Sequence, residues 1–260
     1  MYELFAMPKA VNKTKKVILH SVFRILMSNQ YFDFKRFRIE QDRCSMKVGT
    51  DGVLLGAWFP MEWGKSVLDI GTGTGLIAIM AAQRGAGRVM AVEIDSDAAE
   101  QALKNASNSP WADKIDVQCL NISDFIAENK FDRIVCNPPY FRDSLRCPDS
   151  GRNTARHNDS LSYETLAECS ANMLEPDGLL CVVLPYDAVE TFTGCASIAG
   201  LYLSRRTDVV TVPGKEPKRS LLAFGKKISE PHSDTLFICD SDKKETSEYI
   251  NYVKDFYLKF

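Results

Sequence analysis

Four consecutive residues carry the densest chemistry of the chain: Asn137, Pro138, Pro139 and Tyr140. They follow the apolar run Ile134-Val135-Cys136, which reads as a buried strand. Proline has no N–H and a fixed φ, so two in succession end a strand and stiffen what surrounds them. One strand end thus offers an amide acceptor, fixed backbone carbonyls and an aromatic ring. A second group lies upstream, where Gly71, Gly73 and Gly75 alternate in "DIGTGTG" and Asp69 stands two residues before the first. Glycines in such a loop let the backbone approach a ligand closely and leave bare amides facing it. A dinucleotide fingerprint would be G-x-G-x-x-G, so the third glycine comes one residue early. Glu93 and Ile94 follow in "AVEID", and Asn121 and Ile122 in "CLNISD". A carboxylate such as Glu93 can accept from two neighbouring hydroxyls at once.

These groups need a scaffold, and the chain supplies one from Ser66 onward. "SVLDIG", "RVMAVEID", "IDVQCL", "FDRIVCN" and "GLLCVVLP" read as strands. Between and after them, "GLIAIMAAQRG", "DAAEQALKNASNS", "SDFIAEN", "YETLAECSANML" and "DAVETFTGCASIAG" read as helices. "LYLSRRTDVV" and "RSLLAFGKK" suggest an antiparallel pair with "TLFICD" nearby, and "TSEYINYVKDFYLKF" a last helix whose aromatics serve packing. Apolar strands alternating with helices predict an α/β, doubly wound, mostly parallel sheet. Ligands of such sheets sit beyond the carboxyl ends of the strands, near the point where strand order reverses. All the chemical groups above fall at strand ends.

The spacing of Asp69, Gly71, Gly73 and Gly75 resembles motif I of the class I S-adenosylmethionine-dependent methyltransferases. The resemblance implies S-adenosyl-L-methionine as cofactor. It also implies a Rossmann-like fold: a mostly parallel seven-stranded sheet with an antiparallel C-terminal strand and helices on both faces. It places Glu93, with Ile94 beside it, on the ribose hydroxyls. It puts Asn121, where the family usually carries Asp, at the cofactor's adenine amino group, with Ile122 packing on the ring; Asp124 is the alternative. The glycines alone would also suit a plain βα turn. Asn137-Pro138-Pro139-Tyr140 resembles the (D/N/S)PP(Y/F/W) signature of methyltransferases that act on amide-like or exocyclic nitrogens. In that resemblance the Asn137 side-chain oxygen and the Pro138 carbonyl each accept one N–H of the target amine, beside the cofactor. Both prolines hold these acceptors in place, and Tyr140 stacks on the base. Positioning and electrostatic complementarity carry the catalysis, because the proton becomes acidic only as the N–C bond forms.

The tetrapeptide does not choose the target, but "FDFKRFRIEQDRCSMKVGTDGVLLGAW", Phe32 to Trp58, does better. Together with "NPPYF", "ARH", "KRSLLAF" and "DFYLKF" it is similar to the bacterial methyltransferases that N6-methylate the adenine 3′ of the anticodon of a valine tRNA. The resemblance covers most of the chain after Met27 and implies tRNA as partner. It lays "MKVGTDGVLLGAW" over the cofactor, with Lys47, Gly49 and Asp51 on the cofactor side. Thr50-Asp51-Gly52 also reads as only a turn and helix start. The second reading is a protein glutamine N5-methyltransferase of release-factor type, which uses the same tetrapeptide. That class normally carries a helical N-terminal domain, and only 68 residues precede the glycine motif here. A catalytically silent RNA-binding module is a third class, disfavoured by the intact motifs.

Charge suits an anionic partner bound at one place, although charge alone reads equally as solvated surface lysine and arginine. Net charge is −2, yet residues 1–45 hold nine Lys and Arg against four acids, and residues 205–227 hold seven against two. Phe34 and Phe37 interleave with Lys35, Arg36 and Arg38, a pattern suited to stacking and phosphate contacts. Arg142, Arg146, Arg152 and Arg156 follow the tetrapeptide in a polar stretch expected to be a loop that orders on RNA. Eight cysteines without a C-x-x-C pattern suit reduced thiols in the cytoplasm, and three scattered histidines give no zinc site. The apolar run in "KKVILHSVFRILM" is too short to span a bilayer, and no cleavage site follows it. The expectation is a monomer with one methyltransferase domain over 27–260, its first part, 27–62, covering the cofactor and meeting RNA. Residues 1–26 read as an upstream extension, disordered or outside the natural reading frame. Their other reading is a basic amphipathic helix.

Overall fold

The computed structural model describes residues 30–138 and 161–260. The expectations for residues 1–26 and for Pro139, Tyr140, Arg142, Arg146, Arg152 and Arg156 lie outside the described residues. A two-stranded antiparallel ribbon, β1 (Tyr31–Asp33) and β2 (Arg38–Glu40), precedes the first helix, α1 (Thr50–Trp58). The main sheet then begins. Its strands are β3 (Ser66–Ile70), β4 (Arg88–Glu93), β5 (Ile115–Cys119), β6 (Phe131–Cys136), β7 (Leu174–Pro185), β8 (Tyr202–Val210), β9 (Arg219–Gly225) and β10 (His232–Phe237). The helices between and after them are α2 (Leu76–Gln83), α3 (Ser96–Ser107), α4 (Tyr163–Met173), α5 (Val189–Ile198) and α6 (Ser247–Val253).

The strands lie in the order β10-β8-β9-β7-β6-β3-β4-β5. Only β9 runs antiparallel to its neighbours β7 and β8. The expected parallel sheet, and the antiparallel pairing of β8 with β9, are therefore present. The count differs from the expected seven, because β10 adds an eighth strand parallel to β8. Four of its six residues are exposed, so it carries no buried alternation and is held by backbone pairing at the sheet edge.

Side chains of successive strand residues alternate between two cores. Val67, Ala91, Val135 and Val183 point to the face covered by α1, α2 and α6. Leu68, Val92, Ile134 and Leu180 point to the face covered by α4 and α5. Each fully buried aliphatic side chain contributes about 1.5–3 kcal/mol through loss of apolar surface from water. That rigidity fixes the strand ends against one another.

Two expected helices are shorter than the sequence suggests. Residues 123–129 form no helix: a single 3-10 turn spans Ile122–Asp124, and Ile126 is 89% exposed, with no core to cover it. The last helix stops at Val253 because the chain turns to pair with the N-terminal ribbon. Phe256 and Tyr257 bond back to the Val253 carbonyl, Lys35 N–H donates to the Phe256 carbonyl at 2.8 Å, and Phe34 bridges Tyr257. Tyr249 and Phe256 are buried, so the aromatics of this segment do serve packing. No helix among the described residues is long and apolar enough to cross a membrane. No group of three or more His, Cys, Asp or Glu that could hold a metal ion occurs among them.

Candidate active site

Strand order reverses between β3 and β6, and the two motifs meet there. Ile70 pairs in register with Cys136, so Gly71 and Asn137 leave neighbouring strands side by side. The glycine turn is built from left-handed backbone: φ is +67° at Gly71, +56° at Gly73 and +80° at Gly75. At Gly71 and Gly73 nothing lies within 4 Å of where a Cβ would stand, whereas at Gly75 it would meet the Ala102 backbone at 3.4 Å. The first two glycines thus face open space, and the third lets α3 pack closely.

Asp69 anchors this turn from below. It is buried, and its Oδ2 accepts from Thr72 Oγ1 at 2.6 Å and from the Ala78 N–H at 3.1 Å. Its Oδ1 is buried with no hydrogen-bond partner among the described residues. Burial pushes its carboxyl up to about 7, against the pull of the two donors.

Glu93 closes the turn from β4. Its Oε2 accepts from the Gly73 N–H at 2.9 Å, and its Oε1 from Ile94 at 2.9 Å and Asp95 at 3.1 Å. Helix capping falls to Asp95, which accepts from Ala98 at 2.9 Å. A carboxylate has about four lone-pair positions, and three are engaged here. Leu120 N–H bonds the Glu93 carbonyl at 2.9 Å, which brings Asn121 to the same edge. Asn121 Oδ1 accepts from Ser123 at 3.0 Å. Ile94 is exposed at this edge, while Ile122 is buried in the core on the α4 side.

Asn137 is half-buried and Pro138 buried. The strand tip is therefore fixed by the core and still reachable. Cys136 just before it is wholly buried, and burial pushes its thiol well above the ordinary range. That leaves Asn137 as the chemically useful group at the tip.

The segment ahead of α1 reaches this tip along α3. Arg36 lies 4.9 Å over Trp111, just beyond the C-terminus of α3. Glu40 is held by Asn105, and the Arg43 N–H donates to Gln101 Oε1 at 3.2 Å. The buried Asn105 side chain accepts from the Glu40 N–H at 2.9 Å and donates to the Glu40 and Thr74 carbonyls, each at 2.8 Å. Gln41 Oε1 takes the Val48 N–H at 2.7 Å, and Lys47 Nζ donates to the Gln41 carbonyl. Met46 then meets Asn137, whose Nδ2 lies 3.6 Å from its sulfur. A Cβ on Gly52 would stand 3.8 Å from the same nitrogen. Asp51, in the first turn of α1, pairs with Arg219 of β9 at 2.8 Å.

Lys47, Gly49 and Asp51 thus belong to the segment that reaches the Asn137 tip. Lys35 and Arg36 are elsewhere, lining a cleft of about 490 Å³ with Arg84 and Asp255 near the C-terminus of α2. Arg38 pairs with Asp33 at 2.6 Å. Phe34 and Phe37 correct the expectation of a stacking platform: both are buried, stacked on each other at 4.6 Å, and Phe34 also stacks on Tyr257. Sequence reasoning missed Asn105, Gln101 and Gln41. The available signal was that Gln101 and Asn105 are four apart on a helix and share a face with Ala98 and Ala102.

The open cradle at Gly71 and Gly73, the Glu93 carboxylate against it and the unpartnered Asp69 oxygen beneath fit the cofactor that the sequence implies. The family model described as methyltransferase small domain matches residues 44–191. A protein of Bacteroides fragilis named tRNA1(Val) (adenine(37)-N6)-methyltransferase is 50% identical over 236 residues, covering 90% of this chain and all of its own. A protein of the same name from an Enterobacter species is 42% identical over 239 residues, 90% of this chain and 98% of its own. Among solved structures, one titled as an O-methyltransferase from Agrobacterium tumefaciens superposes with a TM-score of 0.60 at 16% identity, covering 78% of this chain and 94% of its own. A transferase from Pyrococcus horikoshii gives 0.55 at 14% identity, over 76% and 72%. These two share the fold alone. On the family match and the full-length identity, the chain belongs to the methyltransferase small domain family and, within it, to the tRNA1(Val) (adenine(37)-N6)-methyltransferases.

Proposed function

We propose that the protein transfers a methyl group from S-adenosyl-L-methionine to the exocyclic N6 of the adenine 3′ of the anticodon in a valine tRNA. The observation that carries the reaction is the register of Ile70 with Cys136, which sets the glycine turn beside Asn137. The target follows from relatives of that name that align over their whole length. The glutamine alternative is not favoured, because those relatives are named as tRNA enzymes.

When bound, S-adenosyl-L-methionine supplies an electrophilic methyl group on a sulfonium. The glycine turn, with Gly71, Gly73 and the buried Asp69, would hold its methionine part. Glu93 accepts from the ribose hydroxyls, giving up at least one of its three amide bonds to do so. The exposed Ile94 would flank the adenine, with Ile122 packed in the core beneath it, and Asn121 or Asp124 would accept from its amino group. Lys47, Gly49 and Asp51 cover the cofactor from the segment ahead of and into α1. Adenine N6 is a poor nucleophile, since its lone pair is delocalised into the ring. The Asn137 oxygen and the Pro138 carbonyl each accept one N6–H, drawing density onto the nitrogen and turning its lone pair toward the methyl. Pro139 stiffens the tip, and Tyr140 stacks on the base. As the N–C bond formed, the methyl–sulfur bond would break with its electron pair passing to sulfur, S-adenosylhomocysteine would be the leaving group and the N6 proton would go to solvent, so no strong base is required. Arg142, Arg146, Arg152 and Arg156 meet tRNA phosphates near the site, and Lys35, Arg36 and Arg38 meet phosphates farther along it. The enzyme works in the cytoplasm as a monomer.

Nucleoside mass spectrometry tests the reading. Purified protein, unmodified valine tRNA and cofactor should yield N6-methyladenosine at the position after the anticodon. Unchanged tRNA, together with methylglutamine formed on a release factor, would overturn it.

A further inference from the structure

The cofactor residues occupy only half of the active edge. Gly71, Glu93 and Asn121 follow β3, β4 and β5, all on one side of Asn137. RNA that delivers an adenine to Asn137 must therefore run over the other half, across β7, β9 and β8. That half carries an exposed ring at the end of β7: Tyr186 follows Pro185 and is 41% exposed. Val182 pairs with Cys136, so Tyr186, just past the end of the neighbouring strand β7, stands roughly 10 Å farther out than Asn137 by strand rise and spacing.

The ring is backed and fixed. The Arg206 guanidinium lies 5.2 Å over it and is itself held by both Asp208 oxygens, at 2.8 and 3.0 Å. The Tyr186 N–H donates to the Lys218 carbonyl at 3.2 Å, which ties the loop between β8 and β9 to the ring. That loop exposes Lys215 and Lys218, with Glu216 between them. Arg206 and Arg219 are engaged by Asp208 and Asp51. Lys215 and Lys218 form no ion pair among the described residues.

We infer that Tyr186, Lys215 and Lys218 form a docking surface for the single-stranded part of the anticodon loop that flanks the target adenine. Tyr186 stacks on a flanking base, and the two lysines meet phosphates. An aromatic platform beside cations is the arrangement that holds unpaired RNA. The inference rests on the tRNA reading above and says where that substrate lies.

The test uses the full chain and unmodified valine tRNA, with affinity read by fluorescence anisotropy between about 50 and 200 mM salt. The double variant Lys215→Ala, Lys218→Ala should bind tRNA roughly tenfold more weakly and flatten the log–log salt slope by about two. Tyr186→Ala should lose roughly tenfold with the slope unchanged, and Tyr186→Phe should bind like wild type. Cofactor affinity, measured by calorimetry, should be unaltered in all three. If wild type methylates tRNA while the lysine pair and Tyr186→Ala bind it with unchanged affinity and slope, the surface is wrong and the reading stands. If Tyr186→Phe loses as much as Tyr186→Ala, stacking is wrong. If wild type forms no N6-methyladenosine in tRNA, the reading fails and the surface with it.

Discussion

The role proposed for Asn137 depends on where its acceptor sits and on little else. It is neither acid nor base, and the strand below it is wholly buried from Ile134 to Cys136. Removing the amide should leave the cofactor site intact and cost turnover. Asn137→Ala is expected to hold cofactor affinity within about threefold and lower kcat on the order of 10²-fold, the scale of losing one positioned polar partner in a transition state. Calorimetry with single-turnover kinetics checks this, and unchanged turnover would remove the role assigned to Asn137. Asp69 permits a second test. Its folded carboxyl titrates near 7 against an ordinary 3.8, so folding favours the protonated form. Its contribution to stability is complete below about pH 4 and lost as pH rises through about 7, a span worth roughly 4 kcal/mol at most. Unliganded wild type should therefore lose stability relative to Asp69→Asn between about pH 5 and pH 8. Parallel melting curves for the two proteins across that range would show that Asp69 stays charged.

At the scale of elements, the segment before α1 is positioned by α3 rather than by itself. Asn105 bonds both backbone groups of Glu40 and the Thr74 carbonyl of the glycine turn. Asn105→Ala leaves those three groups unpaired. It should cost about 2–4 kcal/mol in urea unfolding and weaken cofactor binding through the loosened turn. Weakened folding with unchanged cofactor affinity would mean that the clamp serves stability only. This clamp shows where the sequence becomes hard to read. The parallel strands were legible because Leu68, Ile134 and Leu180 sit in continuous apolar runs, and Gly71 and Asn137 were legible because their spacing is local. Asn105 to Glu40 spans 65 positions, and no local pattern records it. The "FKRF" stretch misled for the same reason. Alternating rings and cations suit RNA, but Phe34 finds Tyr257, more than 200 positions away, Phe37 packs on Phe34 and Trp111, and both enter the core. "SDFIAEN" has helical composition, yet no surface is available to cover Ile126.

At the scale of the molecule, a net charge of −2 gives RNA no general attraction, so binding must come from where cations are placed. On the assignments proposed above, the nucleoside of the cofactor takes the β3-β4-β5 side of the active edge and RNA the β7-β9-β8 side. If the halves are independent, damage to one should spare the other. S-adenosylhomocysteine at about a hundred times its Kd should stabilise the protein by about 2.7 kcal/mol, raising Tm by roughly 5–10 °C for a chain of this size. Glu93→Ala should lose most of that rise, measured from its own unliganded midpoint, because it removes the carboxylate that lies against the Gly73 N–H of the open glycine cradle. The same variant should bind valine tRNA within about twofold of wild type when cofactor is absent. A retained thermal shift would take ribose recognition away from Glu93. Lost tRNA affinity would show that the halves communicate through Asn137, the point where β3 and β6 meet.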